Sequence, residues 1–240
     1  MPLPVVTAPS YELVLPSTNK KIKYRPFFVR EEKVLLLAME SEDINQINNA
    51  IFDVLESCIL TKGIKVRDLP VFDIEYLFLN LRGKSIGEAI ELVITCGDDG
   101  ETQVPLTVYV DEIQVQKSPE HIQDIQITDK ITVKMKYPSY DQFIKENFDP
   151  QNKQDVLDLS FKIVASCIDM VYDDEDCWAA SDCTEQEIVD WLQTLNSHQY
   201  KGIEKFFKTM PKLRYETTIV NPVTEKENTI VLEGLQNFFN

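Results

Sequence analysis

The sequence predicts an α+β fold: an N-terminal β-hairpin plus a helix pair and a small antiparallel sheet, followed by a helical unit ended by a β-hairpin. Three observations carry this. Leu13, Leu15, Ile22 and Tyr24 alternate with polar residues around Pro16-Ser17-Thr18-Asn19, the period of two half-buried strands about a turn. Ile44, Ile47, Ile51, Val54, Leu55 and Cys58 recur at helical spacing instead. The same change of period returns late, where Ile203, Phe206, Phe207 and Met210 precede two strand-like runs on either side of Asn221-Pro222.

In chain order, Met1 to Ser10 carries Pro2, Pro4 and Pro9 and is expected to be an extended arm. Pro26 has no N–H for a ladder and ends the first hairpin. Glu31 and Glu32 then fall in the first turn of a helix, where the macrodipole favours carboxylates. Apolar residues crowd from Val34 to Met39, and Ser41-Glu42-Asp43 supplies capping side chains for the next helix. Gly63 breaks that helix, Asp73 to Leu81 predicts a short one, and Gly83 and Gly87 predict a turn. Glu91 to Thr95 and Gln103 to Asp111 read as a long hairpin through Cys96-Gly97-Asp98-Asp99-Gly100, with Pro105 on an edge strand. Lys130 to Tyr137 reads as a third strand joining it.

Pro138 marks the expected boundary between an N-terminal unit, 1–137, and a C-terminal unit, 138–240. Helices are expected at Tyr140 to Asn147 and Asp155 to Val171, the latter burying Val156, Leu159, Ile163, Cys167 and Met170. Thr184-Glu185-Gln186-Glu187 reads as a capping box opening a helix with Ile188, Trp191, Leu192 and Leu195 inward. Ser197 is expected to cap the next helix and Pro211 to stop it. Leu213 to Val220 and Thr229 to Glu233 form the closing hairpin.

Composition narrows the function classes. The 240 residues, 43% hydrophobic, suffice for one sizeable core or two smaller ones. The formal charge of −16, from 40 acidic against 24 basic residues, opposes phosphate backbones and anionic lipid, so neither nucleic acid nor membrane is an expected partner. It favours a basic partner or serves solubility alone. The start of the chain lacks a basic, then apolar, export signal, and the longest apolar run is far short of the roughly 20 residues that span a bilayer. Five cysteines, odd in number and scattered, fit a reducing cytoplasm.

No catalytic or cofactor motif emerges. His121 and His198 are the only histidines, neither lies in a nucleophile context, and both read as surface residues. Seven glycines include no phosphate-cradling loop. Asp173, Asp174, Glu175, Asp176 and Asp182 offer hard oxygen ligands but lack the spacing of a calcium loop, so a solvated loop is the better reading. Cys177 and Cys183 are too few soft ligands for zinc. Paired carboxylates are too abundant to rank, and a sugar-cleaving site has no pointer. What remains is binding. Leu235, Phe238 and Phe239 either fold back onto this chain's own core or anchor a partner; the anchor is the reading carried forward. Arg25 and Phe27 form a second interface candidate, beside the plainer reading of a strand-to-helix corner.

The blocks LPSTNKKIKYRPFFVREEKVLLLAMESED, DIEYLFLNLRGKSIGE at Asp73 to Glu88, the hairpin around Cys96 to Thr102, and TIVLEGLQNFF at Thr229 to Phe239 resemble the baseplate hub subunit family of T-even-type contractile-tailed bacteriophages. They are also similar, more faintly, to tail assembly chaperones that accompany a tape-measure protein. The resemblance implies a non-enzymatic hub component or hub assembly factor, partnered by other hub or tail proteins and the tape-measure protein. It implies assembly in the host cytoplasm and a place in the tail baseplate. A chaperone absent from the finished virion is the alternative, and a carboxylate or metal-dependent hydrolase the distant one. Hairpin tips in that family often carry cysteine pairs suggesting a zinc knuckle. Here the first tip keeps only Cys96 and the second carries Asn221-Pro222, so zinc is not carried over and no cofactor is expected.

Overall fold

A computed structural model describes residues 7–139 and 153–238. Among them are six α-helices and eleven strands, in small antiparallel sheets, giving the α+β class expected. The chain forms two compact units. The first takes the chain up to Val66, then Phe72–Gln116, and everything from Lys212 on; the second takes Arg67–Val71 and Lys117–Pro211. These units do not coincide with the expected 1–137 and 138–240 halves. The cause is a long-range pairing: the closing hairpin adds to a strand from the first half, so the chain leaves the first unit at Gln116 and returns to it at Lys212.

In the first unit, β1 (Tyr11–Val14) and β2 (Lys21–Tyr24) pair in the register Tyr11↔Tyr24 to Val14↔Lys21, burying Leu15, Ile22 and Tyr24. Asn19, at φ 56, closes the turn. Asp73, fully buried, holds that turn by accepting from the Ser17 N–H at 3.0 Å and from its hydroxyl. Helices α1 (Val29–Glu40) and α2 (Ile44–Cys58) follow. Asp43 caps α2, its Oδ1 accepting from the Asn45 N–H at 2.9 Å.

Helix α3 (Val71–Ser85) is longer than the sequence suggests. Gly83, read as a turn signal, lies inside it, where a Cβ would approach Val110 Cγ2 to 3.2 Å; the glycine serves close packing. Gly87, at φ 151, makes the turn.

Strands β3 (Ala89–Thr95) and β4 (Gln103–Tyr109) form the expected hairpin, and among the described residues β4 pairs on one side only, which puts Pro105 on an edge. The second sheet has the order β11-β10-β5, from β5 (Gln114–Gln116), β10 (Lys212–Val220) and β11 (Glu227–Glu233). Leu79, Ile90, Leu92, Val108, Val110, Ile113, Leu213, Leu232 and Phe238 make the core beneath them.

The second unit carries a four-stranded antiparallel sheet in the order β6-β7-β8-β9: β6 (Asp124–Gln126), β7 (Thr132–Met135), β8 (Ile168–Tyr172) and β9 (Cys177–Ala179). The strand expected at Lys130 to Tyr137 therefore exists as β7 but joins β6 and β8, not the β3–β4 hairpin. Helix α4 (Lys153–Ser166) stops earlier than the expected Val171. Ser166 Oγ donates to the Ile163 carbonyl at 2.8 Å, Cys167 follows in the core, and the chain turns into β8. Residues 163, 167 and 170 fit a helical stripe, but Ile168, Met170 and Tyr172 also alternate, and pairing with β7 decides for the strand.

Helix α5 (Glu185–Gln193) opens with the expected capping box: Thr184 Oγ1 accepts from the Glu187 N–H at 3.3 Å and Glu187 Oε2 accepts from the Thr184 N–H at 2.8 Å. Helix α6 (Ser197–Thr209) is capped by Asn196, whose Oδ1 accepts from His198 and Gln199 N–H at 3.0 Å, where Ser197 was expected. Asn's longer side chain reaches two donors from outside the helix. Ile203 and Phe206 are buried with Ile125, Val133, Met135, Val164, Cys167, Ile168 and Leu192.

His121 is a further correction, being buried rather than on the surface. Thr209 Oγ1 gives its proton to the Lys205 carbonyl at 2.7 Å, so it accepts from His121 Nδ1 at 3.0 Å; Nε2 then accepts from the Tyr137 hydroxyl at 3.0 Å. Burial, with the Lys117 charge, lowers its pKa. Of the arm expected at Met1 to Ser10, residues 7–10 carry no helix or strand and residues 1–6 lie outside the described residues, as do the helix expected at Tyr140 to Asn147 and Phe239.

Candidate protein-binding surface

Helix α1 is held to its unit by one narrow stripe. Glu31 and Ala38 are buried and Leu35 partly so, and successive turns at about 100° per residue put these three on a single side. The opposite side is Val29, Lys33, Leu36, Leu37 and Glu40. Val29 is 79% exposed, Leu36 56% and Leu37 55%, with Val34 and Met39 exposed on the flanks. Fully burying such a side chain contributes about 1.5–3 kcal/mol, and each of these forgoes the share that matches its exposed fraction. Isolated exposed leucines are ordinary, but several large apolar side chains exposed together on one helix face, here on either side of Lys33 and Glu40, mark a site of association. The signal was present in the sequence: six apolar residues in succession exceed what a helix packed on one side can use.

The corner that precedes α1 fixes its direction. Arg25 donates to the Pro26 carbonyl at 2.9 Å, the Ser57 carbonyl at 3.1 Å and Glu31 Oε1 at 3.0 Å, and its guanidinium lies 4.3 Å from the centre of the Phe28 ring. Burial works against ionisation of Glu31, but hydrogen bonds from Arg30, the Phe28 N–H and Arg25 outweigh it and hold its pKa at about 2. Phe27 is buried, and its N–H donates to Ser85 Oγ at 3.0 Å. Arg25 and Phe27 thus build the strand-to-helix corner from inside, and the exposed surface begins directly after them, at Phe28 and Val29.

The C-terminal residues divide. Phe238 is 1% exposed in the core with Leu79 and Ile90, and Leu235 packs against the same cluster. They close this chain's own core, so the anchor reading does not hold for them: Gly234, at φ 73, turns the chain inward after β11. Glu75 Oε1 accepts from the Leu235 N–H at 3.0 Å, and burial pushes Glu75 up to about 7.

The two long hairpins meet at their tips. Asp99 Oδ1 closes the first by accepting from the Glu101 and Thr102 N–H groups at 3.0 Å, and Asn221 Oδ1 closes the second by accepting from Val223 at 2.8 Å and Thr224 at 3.3 Å. Asn221 Nδ2 donates to Asp98 Oδ1 and Asp99 Oδ2 at 2.9 Å, Asn228 Nδ2 also donates to Asp98 Oδ1 at 2.9 Å, and Thr224 Oγ1 donates to Asp98 Oδ2. These bonds, Asn221's for Asp98 and Thr102's for Asp99, hold both carboxyls below the usual range. The tips do not fit the zinc that the resemblance implies elsewhere. Cys96 is the one thiol there, and amide N–H groups, which repel a cation, occupy the space between the carboxylates.

Elsewhere, Asp173 Oδ1 accepts from the Glu175 N–H at 2.9 Å and the Asp176 N–H at 2.7 Å, so the acidic run shapes the β8–β9 turn. Among the described residues no group of three or more His, Cys, Asp or Glu is placed to hold a metal, and no helix is long and apolar enough to cross a membrane.

Compared with known families, residues 8–240 match the family described as T4 bacteriophage base plate protein. Neither a curated protein nor a solved structure matches the chain.

Proposed function

The chain belongs to the T4 bacteriophage base plate protein family, and from that premise we propose that it is a baseplate hub component or hub assembly factor acting by protein–protein binding. The observation that carries the binding role is the set of large apolar side chains, Val29, Leu36 and Leu37, exposed on the outward side of α1 and uncovered by the described chain. The proposed role is non-enzymatic. Its partners are other hub or tail proteins, with the tape-measure protein among the candidates, met in the host cytoplasm and retained in the tail baseplate.

Affinity capture from infected cells tests this, with mass spectrometry of the captured proteins and of finished particles. Wild-type protein is expected to bring down hub proteins and to be present in particles, and Leu36→Glu with Leu37→Glu to lose the capture while melting normally. Capture that survives both substitutions sinks the α1 reading. Absence from particles turns the role into that of a chaperone. That alternative keeps the acidic charge in its favour, but the hydrophobic tail that also suited it is engaged in the core through Phe238. Cleavage of peptidoglycan by the purified chain would point to a hydrolase instead.

A further inference from the structure

We propose that α1 pairs antiparallel with α1 of a second copy of this chain, across a two-fold axis passing between Leu36 and Leu37; this rests on the reading of α1 as a binding surface. The outward face is self-complementary. Lys33 and Glu40 lie equally far along the helix from the Leu36–Leu37 midpoint, so an antiparallel copy places each Lys33 against Glu40 of the other, once on each side of the axis. Leu36 then meets Leu36 and Leu37 meets Leu37 of the second copy, on either side of the Lys33–Glu40 pairs, with Val34 and Met39 on the flanks. Among the described residues neither Lys33 nor Glu40 has an ion-pair partner in its own chain, and the last turn of α1 holds no basic residue.

Two local terms favour the arrangement. The carboxylate of Glu40 stands at the negative end of the macrodipole, where a cation is favoured, and Lys33 of the second copy supplies one. Antiparallel helices also oppose their dipoles. The charge of −16 on each copy works against association, but charges more than about 10 Å apart are largely screened at 0.1 M salt. One 12-residue helix covers less than the roughly 800 Å² per partner of a standard stable interface, so the pairing is a weak one that a larger assembly would reinforce.

Sedimentation equilibrium of the full chain, from micromolar to sub-millimolar concentration, tests this on wild type, Lys33→Glu, Glu40→Lys and the double swap. Both positions are exposed, and circular dichroism with melting confirms that each variant folds. A reversible monomer–dimer equilibrium is expected. Each single swap sets like charges together twice per interface and weakens the dimer roughly tenfold, and the double swap restores it. A monomer at every concentration, a dimer indifferent to all swaps, or a double swap no better than the singles overturns the proposal. Hub-protein capture by the Leu36→Glu, Leu37→Glu protein separates the two levels. If the chain is monomeric and that capture is lost, the face serves a different protein and the functional reading stands; if capture is also unchanged, both fall.

Discussion

Asn221 and Asp98 are 123 positions apart in the chain, yet the Asn221 amide donates to the Asp98 carboxylate at 2.9 Å and joins the tips of two hairpins. Asn221 is fully buried and serves both sides: its oxygen closes its own tip and its nitrogen reaches across to Asp98 and Asp99. Among the described residues the β3–β4 hairpin pairs with no further strand, so this polar clasp fixes where its far end lies.

Asn221→Ala should therefore destabilise the fold by about 0.5–1.5 kcal/mol for each hydrogen bond lost, since the partners left behind at Asp98, Asp99 and Val223 are exposed and can turn to water. Asn221→Asp should cost more at neutral pH, because a third carboxylate meets Asp98 and Asp99, and should recover in part as the pH falls toward 4. Denaturant unfolding at two pH values checks both. An Asn221→Ala protein as stable as wild type would show that the clasp contributes nothing.

The clasp shows where sequence reading stops. Each hairpin was legible on its own, because alternation and turn residues are local. The meeting of Asp98 with Asn221, the pairing of β5 with β10 and the docking of Phe238 are long-range, and no local pattern encodes which tip faces which. The β8 strand was hidden because its residues satisfy two periods at once. The α1 surface was legible as an excess: Val34 to Met39 is apolar all round, though which side the fold leaves open depends on where Glu31, Leu35 and Ala38 pack.

Phe238→Ala should lower stability by about 3–5 kcal/mol, the usual range for emptying a buried phenylalanine site. Deleting residues 235–240 should do at least as much. Hub-protein capture by whatever fraction remains folded should be unchanged, since the ring faces this chain's own core. Thermal melting and affinity capture on the same protein decide it; a truncated chain that melts normally but captures nothing would restore the anchor reading.

Gly202 should be intolerant of a change that helices ordinarily welcome. Gly→Ala inside a helix typically gains up to about 1 kcal/mol. Here the added Cβ would come 2.7 Å from Ile125 Cγ2 across the packed core of the second unit. Gly202→Ala is expected to cost about 1–3 kcal/mol, as overpacking does, and a variant that melts at or above wild type would refute the close approach.

Glu75 gives the last prediction, a pH dependence of definite sign. Burial raises its pKa from 4.5 to about 7, against the opposing pull of the Leu235 N–H, so between those values the folded chain holds a proton that the unfolded chain releases. The stabilisation is fully present below about pH 4.5 and is lost as the pH rises through about 7. Glu75→Gln keeps an oxygen to accept from Leu235 and cannot ionise. It should therefore match wild type near pH 4 and exceed it above pH 7 by up to about 3 kcal/mol. The difference between variant and wild type isolates Glu75 from His121, whose depressed pKa acts with the opposite sign, lowering stability as the pH falls below 6.5. Melting both proteins across this range is decisive: parallel curves would show that Glu75 titrates like an exposed carboxylate and that the C-terminal segment does not cover it.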